Sequence, residues 1–259
     1  MAGHFYPAEP TRLARELERL LAAPGAPPRA ALAVLAPHAG YVYSGSVAGA
    51  TYARVEVPRL AIVLCPNHTG LGAPAALWPD GAWKTPLGPV PVDAGLTEAL
   101  RACPIVEDDR AAHRREHALE VQLPFLRTRR PDVAIAALCL GPLDADACAE
   151  VGRAVADAAR RHGALVVASS DMSHYEPAQV ARAHDERALE RFLALDARGL
   201  WQRVREEDIS MCGVIPATVA LFAARDLGAT RAELVRYASS GDVNGDLTSV
   251  VGYAGAIVA

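Results

Sequence analysis

The stretch ALAVLAPHAGYVYSG (31–45) is a short apolar run of buried-strand type that ends at Pro37 and passes at once into a polar, histidine-bearing motif. Two further stretches repeat the arrangement. LAIVLCPNHTG (60–70) carries His68 just past an apolar run, and ALVVASSDMSHYE (164–176) carries Asp171 and His174 past another. Further strands are expected at Val133 to Leu140, Glu233 to Ala238 and Ser249 to Val258. Helical patterns separate the runs. The first covers Thr11 to Leu21 and is stopped by Pro24, Gly25 and the Pro27-Pro28 pair. Others cover Asp93 to Ala102, Glu116 to Arg127 (where Pro124 should kink or end the helix), Asp144 to Arg161, a long stretch from Pro177 to Arg205, and a segment from Cys212-Gly213 to Gly228. Residues 69–92, rich in Gly and Pro, read as irregular loop or short antiparallel strands. Strands alternating with helices predict one three-layer α/β/α domain over 1–259, its mostly parallel central sheet covered on both faces.

Composition narrows the function classes. Lys and Arg number 26 against 30 Asp and Glu, a formal charge of -4. That balance lacks the basic excess that neutralises phosphates, which excludes nucleic acid as the main partner. No window reaches the roughly 18 uninterrupted apolar residues of a membrane-spanning helix, so no membrane partner is expected. The amino terminus has no basic start followed by an apolar core, so a secretory signal is not expected. Cys65, Cys103, Cys139, Cys148 and Cys212 are odd in number and form no CxxC pair, which predicts reduced thiols and a cytoplasmic protein. The pattern sets no oligomeric state.

In open α/β sheets, ligands bind in the crevice at the carboxyl ends of the strands. His38, His68, Asp171 and His174 should therefore gather despite their separation in sequence. MCGVIP (211–216) puts Cys212 just before a helix, where positive potential favours the thiolate. Imidazole nitrogens with a thiolate or carboxylate are the usual ligands of a divalent transition metal, and three such groups leave positions open. Glu116, His117 and Glu120 are expected on a helix, two of them facing the crevice. Tyr41 and Tyr43 read as alternating along an extended or turning segment, one of them lining the pocket. His4, His113, His162 and His184 read as solvated. Asp242, Asn244 and Asp246 read as a turn, since the rest of an EF-hand is missing. The crowded Ser169, Ser170, Asp171 and His174 lack the nucleophile elbow of a serine hydrolase.

GHFYPAEP (3–10), PHAGYVYSG (37–45), PNHTG (66–70), EHALEVQLPFL (116–126), SSDMSHY (169–175), Cys212-Gly213, YASSGDVNGD (237–246) and VVGYAG (250–255) together make the chain resemble the Memo family, in order and spacing, over essentially its whole length. That family is similar in fold to the class III non-haem iron extradiol dioxygenases, the LigB-like subunits. The resemblance implies His38 and His68 as the first two metal ligands. Cys212 would be the third, where the dioxygenases place a carboxylate. It implies His174 as the acid/base histidine, with Asp171 as partner to its imidazole. Fe(II) is the implied cofactor, with copper or zinc as competitors for the same donors. Cys65 stands where a Gly usually precedes PNH, and Ala118 and Gln122 vary the 116–126 motif.

Two functions are compatible with these residues. The first is a metal-dependent oxidoreductase acting on a small, catechol-like molecule with dioxygen, with Tyr41, Tyr43, Glu116 and His117 touching substrate. The second is a non-catalytic binding or regulatory scaffold for a protein partner, its dioxygenase-type site vestigial.

Overall fold

The structure, a computed structural model, describes residues 1–22 and 25–259. Pro24, expected to help stop the first helix, lies outside the described residues. Four parallel strands form the centre of a nine-stranded sheet: β1 (Ala33–Ala36), β8 (Leu165–Ser169), β2 (Leu60–Pro66) and β7 (Ala134–Leu140), side by side in that order. The flanks are antiparallel. β11 (Val250–Val258) pairs with β1 and carries β10 (Ala232–Ser239) on its other edge. At the opposite side β3 (Ala75–Leu77) pairs antiparallel with β7 and parallel with the short β6 (Glu107–Asp108). β9 (His174–Glu176) joins β11 off the main path. A separate hairpin, β4 (Ala82–Thr85) with β5 (Gly88–Pro91), occupies the Gly/Pro-rich stretch. The expected sheet is thus parallel at its core and mixed at its edges.

Alternation along each central strand feeds two cores. Ala33, Leu35, Ile62 and Leu64 point into one, packed by α3 (Ala94–Arg101), α5 (Ala145–His162), α6 (Ala178–Leu193), α7 (Ala197–Glu206) and α8 (Val214–Asp226). Val34, Ala36, Val63 and Cys65 point into the other, covered by α1 (Pro10–Leu21), α2 (Tyr41–Ala53) and α4 (Leu123–Arg129). Side chains two apart share a face, so apolar residues at every strand position require helices on both sides. A short helix, α9 (Gly241–Asn244), completes the set.

Several sequence expectations are corrected. The long helix expected from Pro177 to Arg205 is two helices. Leu195 adopts φ 57, and the Asp196 carboxylate accepts the Gly199 amide at 2.9 Å, capping a new start. Glu116 and His117 lie in a non-helical link between two turns, and helix begins only with a 3-10 turn at Glu120–Gln122 running into α4, with Pro124 in its first turn. Tyr41 opens α2 instead of an extended segment. That helix is buried on nearly every side, so it lacks the one-sided apolar stripe by which a surface helix is read. His113 is buried with Nε2 against the Ala76 carbonyl at 3.0 Å, whereas it was expected in solvent. Among the described residues no helix is long and apolar enough to cross a membrane.

Gly45 and Gly49 let α1 approach α2. A methyl at Gly49 would overlap the Leu20 carbonyl, which is backbone, while one at Gly45 would press first on the movable Leu20 Cδ1. Gly49→Ala should therefore destabilise the fold by about 1–3 kcal/mol despite the better helix propensity of Ala. Gly45→Ala should cost less. Denaturant midpoints of the two variants check the order.

Candidate functional site

Neighbouring strands β1, β8 and β2 end at one edge of the sheet, which sets their following residues side by side. The Asp171 carboxylate draws two of these segments together: its Oδ1 accepts the His38 amide at 2.7 Å and the Ala39 amide at 3.3 Å. Cys212, just before α8, reaches the same point. Its Sγ lies 3.3 Å from His38 Nε2 and accepts the Asp171 amide at 3.3 Å. His68 completes the group. Its ring meets that of His38 edge-on at 5.3 Å between centroids, and one ligating atom from each of His38, His68 and Cys212 lies within 4.8 Å of the others. The three residues expected as metal ligands are therefore gathered.

Hydrogen bonds decide which nitrogen each ring offers. The Glu116 carboxylate accepts the His68 amide at 2.7 Å and faces His68 Nδ1 at 2.9 Å, and it also takes the His117 and Ala118 amides. An ionised carboxylate only accepts, so Nδ1 of His68 carries its proton and Nε2 keeps a lone pair. His174 has the same logic: its Nδ1 lies 2.9 Å from the Ser210 carbonyl, again a pure acceptor. Asp171, expected to partner that imidazole, instead holds backbone, with Oδ2 3.9 Å from His38 Nε2.

Burial dominates the electrostatics. It lowers His38 to about 3 and His117 to about 4, keeping both rings neutral. It would raise Glu116 as well, but the hydrogen bonds from His68 and the backbone amides outweigh it and bring that carboxyl down to about 2. For His68 the Glu116 bond and charge likewise outweigh burial, and the net shift is upward. Burial pushes the Cys212 thiol well above its usual range, and Asp171 adds to the effect.

A cleft of about 330 Å³ opens over the group, lined by His38, His68, His117, Asp171 and His174 with Phe5 and Tyr253. His117 is sandwiched between Phe5, at 4.3 Å and 21°, and His68, at 4.9 Å and 17°. Three residues expected at substrate stand elsewhere. Tyr41 is core, its hydroxyl donating to the Val121 carbonyl at 2.8 Å; Tyr43 is exposed on α2; Glu116 is buried behind His68. Sequence reasoning missed Phe5, Tyr253, Ser210, Ser169 and Gln122 as parts of the site. All of these but Ser210 do fall inside quoted motifs. It also missed Asp185, fully buried on α6, which accepts the Ser173 amide at 2.8 Å and the Tyr237 hydroxyl at 2.6 Å and so braces the 171–174 segment from behind.

Fold and site together describe a mixed α/β protein with a His/His/Cys group at the carboxyl edge of its parallel strands. The family model described as Memo-like protein matches residues 1–257. A MEMO1 family protein of Methanosarcina barkeri is 44% identical over 261 residues, covering 100% of this chain and 98% of its own. One from Aquifex aeolicus is 40% identical, covering 99% and 97%. The chain belongs to the Memo family. A crystal structure of an uncharacterized Escherichia coli protein shares the fold, with TM-score 0.52 and 19% identity over 77% of this chain and 87% of that one.

Glu116→Gln should destabilise the protein by about 2–3 kcal/mol at neutral pH, because an amide cannot accept four N–H groups. The carboxyl is near 2 in the fold against roughly 4.3 unfolded, so its contribution is complete above the unfolded value and is lost as pH falls toward the folded one. Denaturant titrations of both proteins from about pH 7 down to about pH 2, a range that takes in both values, should show the gap closing below about pH 4–5. A gap independent of pH would mean that Glu116 is not held as an anion.

Proposed function

We propose that the chain is a metal-binding protein with a mononuclear non-haem site, and that it acts as an oxidoreductase related to the extradiol dioxygenases. One observation carries the reading: Cys212 Sγ and one nitrogen of each of His38 and His68 converge within 4.8 Å. The donor set fits the group, since two imidazoles and a sulfur suit iron, copper and zinc. Fe(II) is our assignment, on the likeness to the non-haem iron enzymes. When bound, the ion would supply Lewis acidity and redox chemistry at positions the protein leaves free. The chain's own residues do the rest. The cleft admits a single-ring substrate against the Phe5–His117 stack, in keeping with a catechol-like diol. His174, with Nδ1 held on a carbonyl, offers Nε2 as the base that takes a phenolic proton and later returns it. Asp171 holds His38 in place through the backbone.

A second reading, a non-catalytic scaffold for a protein partner, is favoured by Tyr175. That residue is 79% exposed at the cleft, on backbone with φ 61 that non-glycine residues seldom adopt. Display of an aromatic ring at the cost of strain suits recognition of a partner.

Metal content after anaerobic purification, read together with oxygen uptake on a catechol panel, tests the proposal. The wild type should hold roughly one ion per chain, as a single three-ligand centre requires. His38→Ala and Cys212→Ala should lose metal and turnover. His174→Ala should keep the metal and lose turnover. Absence of bound iron or copper after anaerobic loading would overturn the metal reading. Full metal without uptake on any diol would favour the scaffold.

A further inference from the structure

The ring nitrogen that His38 turns away from the cleft rests on Ser169 Oγ at 2.9 Å, and a hydroxyl, unlike a carboxylate, can either donate or accept. What surrounds Ser169 removes that choice. Its Oγ lies 2.7 Å from the Ala118 carbonyl, which only accepts, so the single hydroxyl proton points there. Gln122 Nε2 donates to the same oxygen at 2.8 Å. One site remains on Ser169, and it is an acceptor.

The Gln122 amide is itself held in one orientation. Its Nε2 faces the Pro37 carbonyl at 3.0 Å and the Ala36 carbonyl at 3.4 Å, while Oε1 accepts the Tyr52 hydroxyl at 2.9 Å. Turning the amide over would set its oxygen against two carbonyl oxygens. Gln122, Ser169 and Tyr52 are fully buried and His38 is 1% exposed, which keeps bulk water from competing for these bonds.

We propose that Gln122 and Ser169 act as positioning residues which fix His38 as the Nδ1–H tautomer, so that its Nε2 lone pair faces Cys212 before any metal arrives. The significance of that lone pair as a ligand rests on the metal-binding reading above; the tautomer is a property of the metal-free chain. The second histidine needs no such device, because Glu116 can only accept. His38 has no carboxylate behind it, and the two neutral side chains together achieve the same result.

Nitrogen-15 spectra of the histidine rings in the metal-free protein at neutral pH test the proposal directly. The wild type should show His38 with Nδ1 protonated and Nε2 bare. Ser169→Ala and Gln122→Met should each show a mixture with appreciable Nε2–H, while Cys212→Ala should keep the wild-type pattern. Zn(II) titration should show both relay variants binding roughly 10–100-fold more weakly than wild type, the usual cost of losing a group that orients a ligand. An Nε2–H signal for wild-type His38 would overturn the proposal even if neither relay variant folds. So would a tautomer that changes in Cys212→Ala and persists in Ser169→Ala, since the thiol would then set it. If wild type shows the expected tautomer but binds no metal, the metal reading fails and the relay stands.

Discussion

The Asp171 carboxylate, accepting the amides of His38 and Ala39, joins the end of β1 to the end of β8, and the rest of the site depends on that join. Strand order brings the two segments to the same edge, but order alone leaves loops free to splay. The join fixes where His38 leaves the sheet. The Asp171 amide in turn donates to Cys212 Sγ, so one residue holds two of the three converging residues through different groups, His38 by its backbone and Cys212 by its side chain. Buried carboxylates are costly unless they are bonded, and this one spends its bonding capacity on backbone. It serves as a structural pin at a place where sequence position suggested a proton-transfer partner.

Behind the converging atoms lies a layer of acceptors. Glu116, the Ser210 carbonyl and the saturated Ser169 hydroxyl each take an Nδ1 proton, from His68, His174 and His38 respectively. Three rings drawn from three separate loops thus present the same nitrogen to the same cleft. The protein reaches one outcome with an anion, a peptide group and a neutral relay. Rings held in this way need no reorientation to offer that nitrogen.

The elements legible in sequence were those with local signatures. Short apolar runs ending in Pro or Ser marked β1, β2 and β8, and the motif that follows each held its chemistry at the strand end. His38 and His68 are legible for that reason, and Cys212 from its place just before a helix. What escaped notice depends on contacts from far along the chain. α2 is enclosed by α1 and the sheet and carries Gly45 and Gly49, so its composition looks like a loop. Glu116 looked like an exposed helix start because nothing nearby in sequence shows that three backbone amides and an imidazole converge on it. Gln122 read as a departure from a motif, yet it stands at the end of a 3-10 turn with four hydrogen-bonding neighbours that belong to other segments. Asp185 sits in a helix rich in charge, where only the structure reveals that its carboxylate occupies the space over Gly252.

The place of β11 in the sheet has a consequence for how the molecule is made. This strand is interior, between β10 and β1, and Ala33 pairs with Val258. Closure of such a loop is entropically slow, and the pairing cannot form on a ribosome until Val258 has emerged, more than 220 residues after Ala33. Until then β1 has an open edge, and the cleft lacks Val251 and Tyr253 from its wall. Residues 38, 68 and 212 are all made before the strand that encloses them. Newly made chains therefore pass through a stage in which the His/His/Cys group is less enclosed, beside an unpaired strand, the period when strand-to-strand aggregation is most favoured.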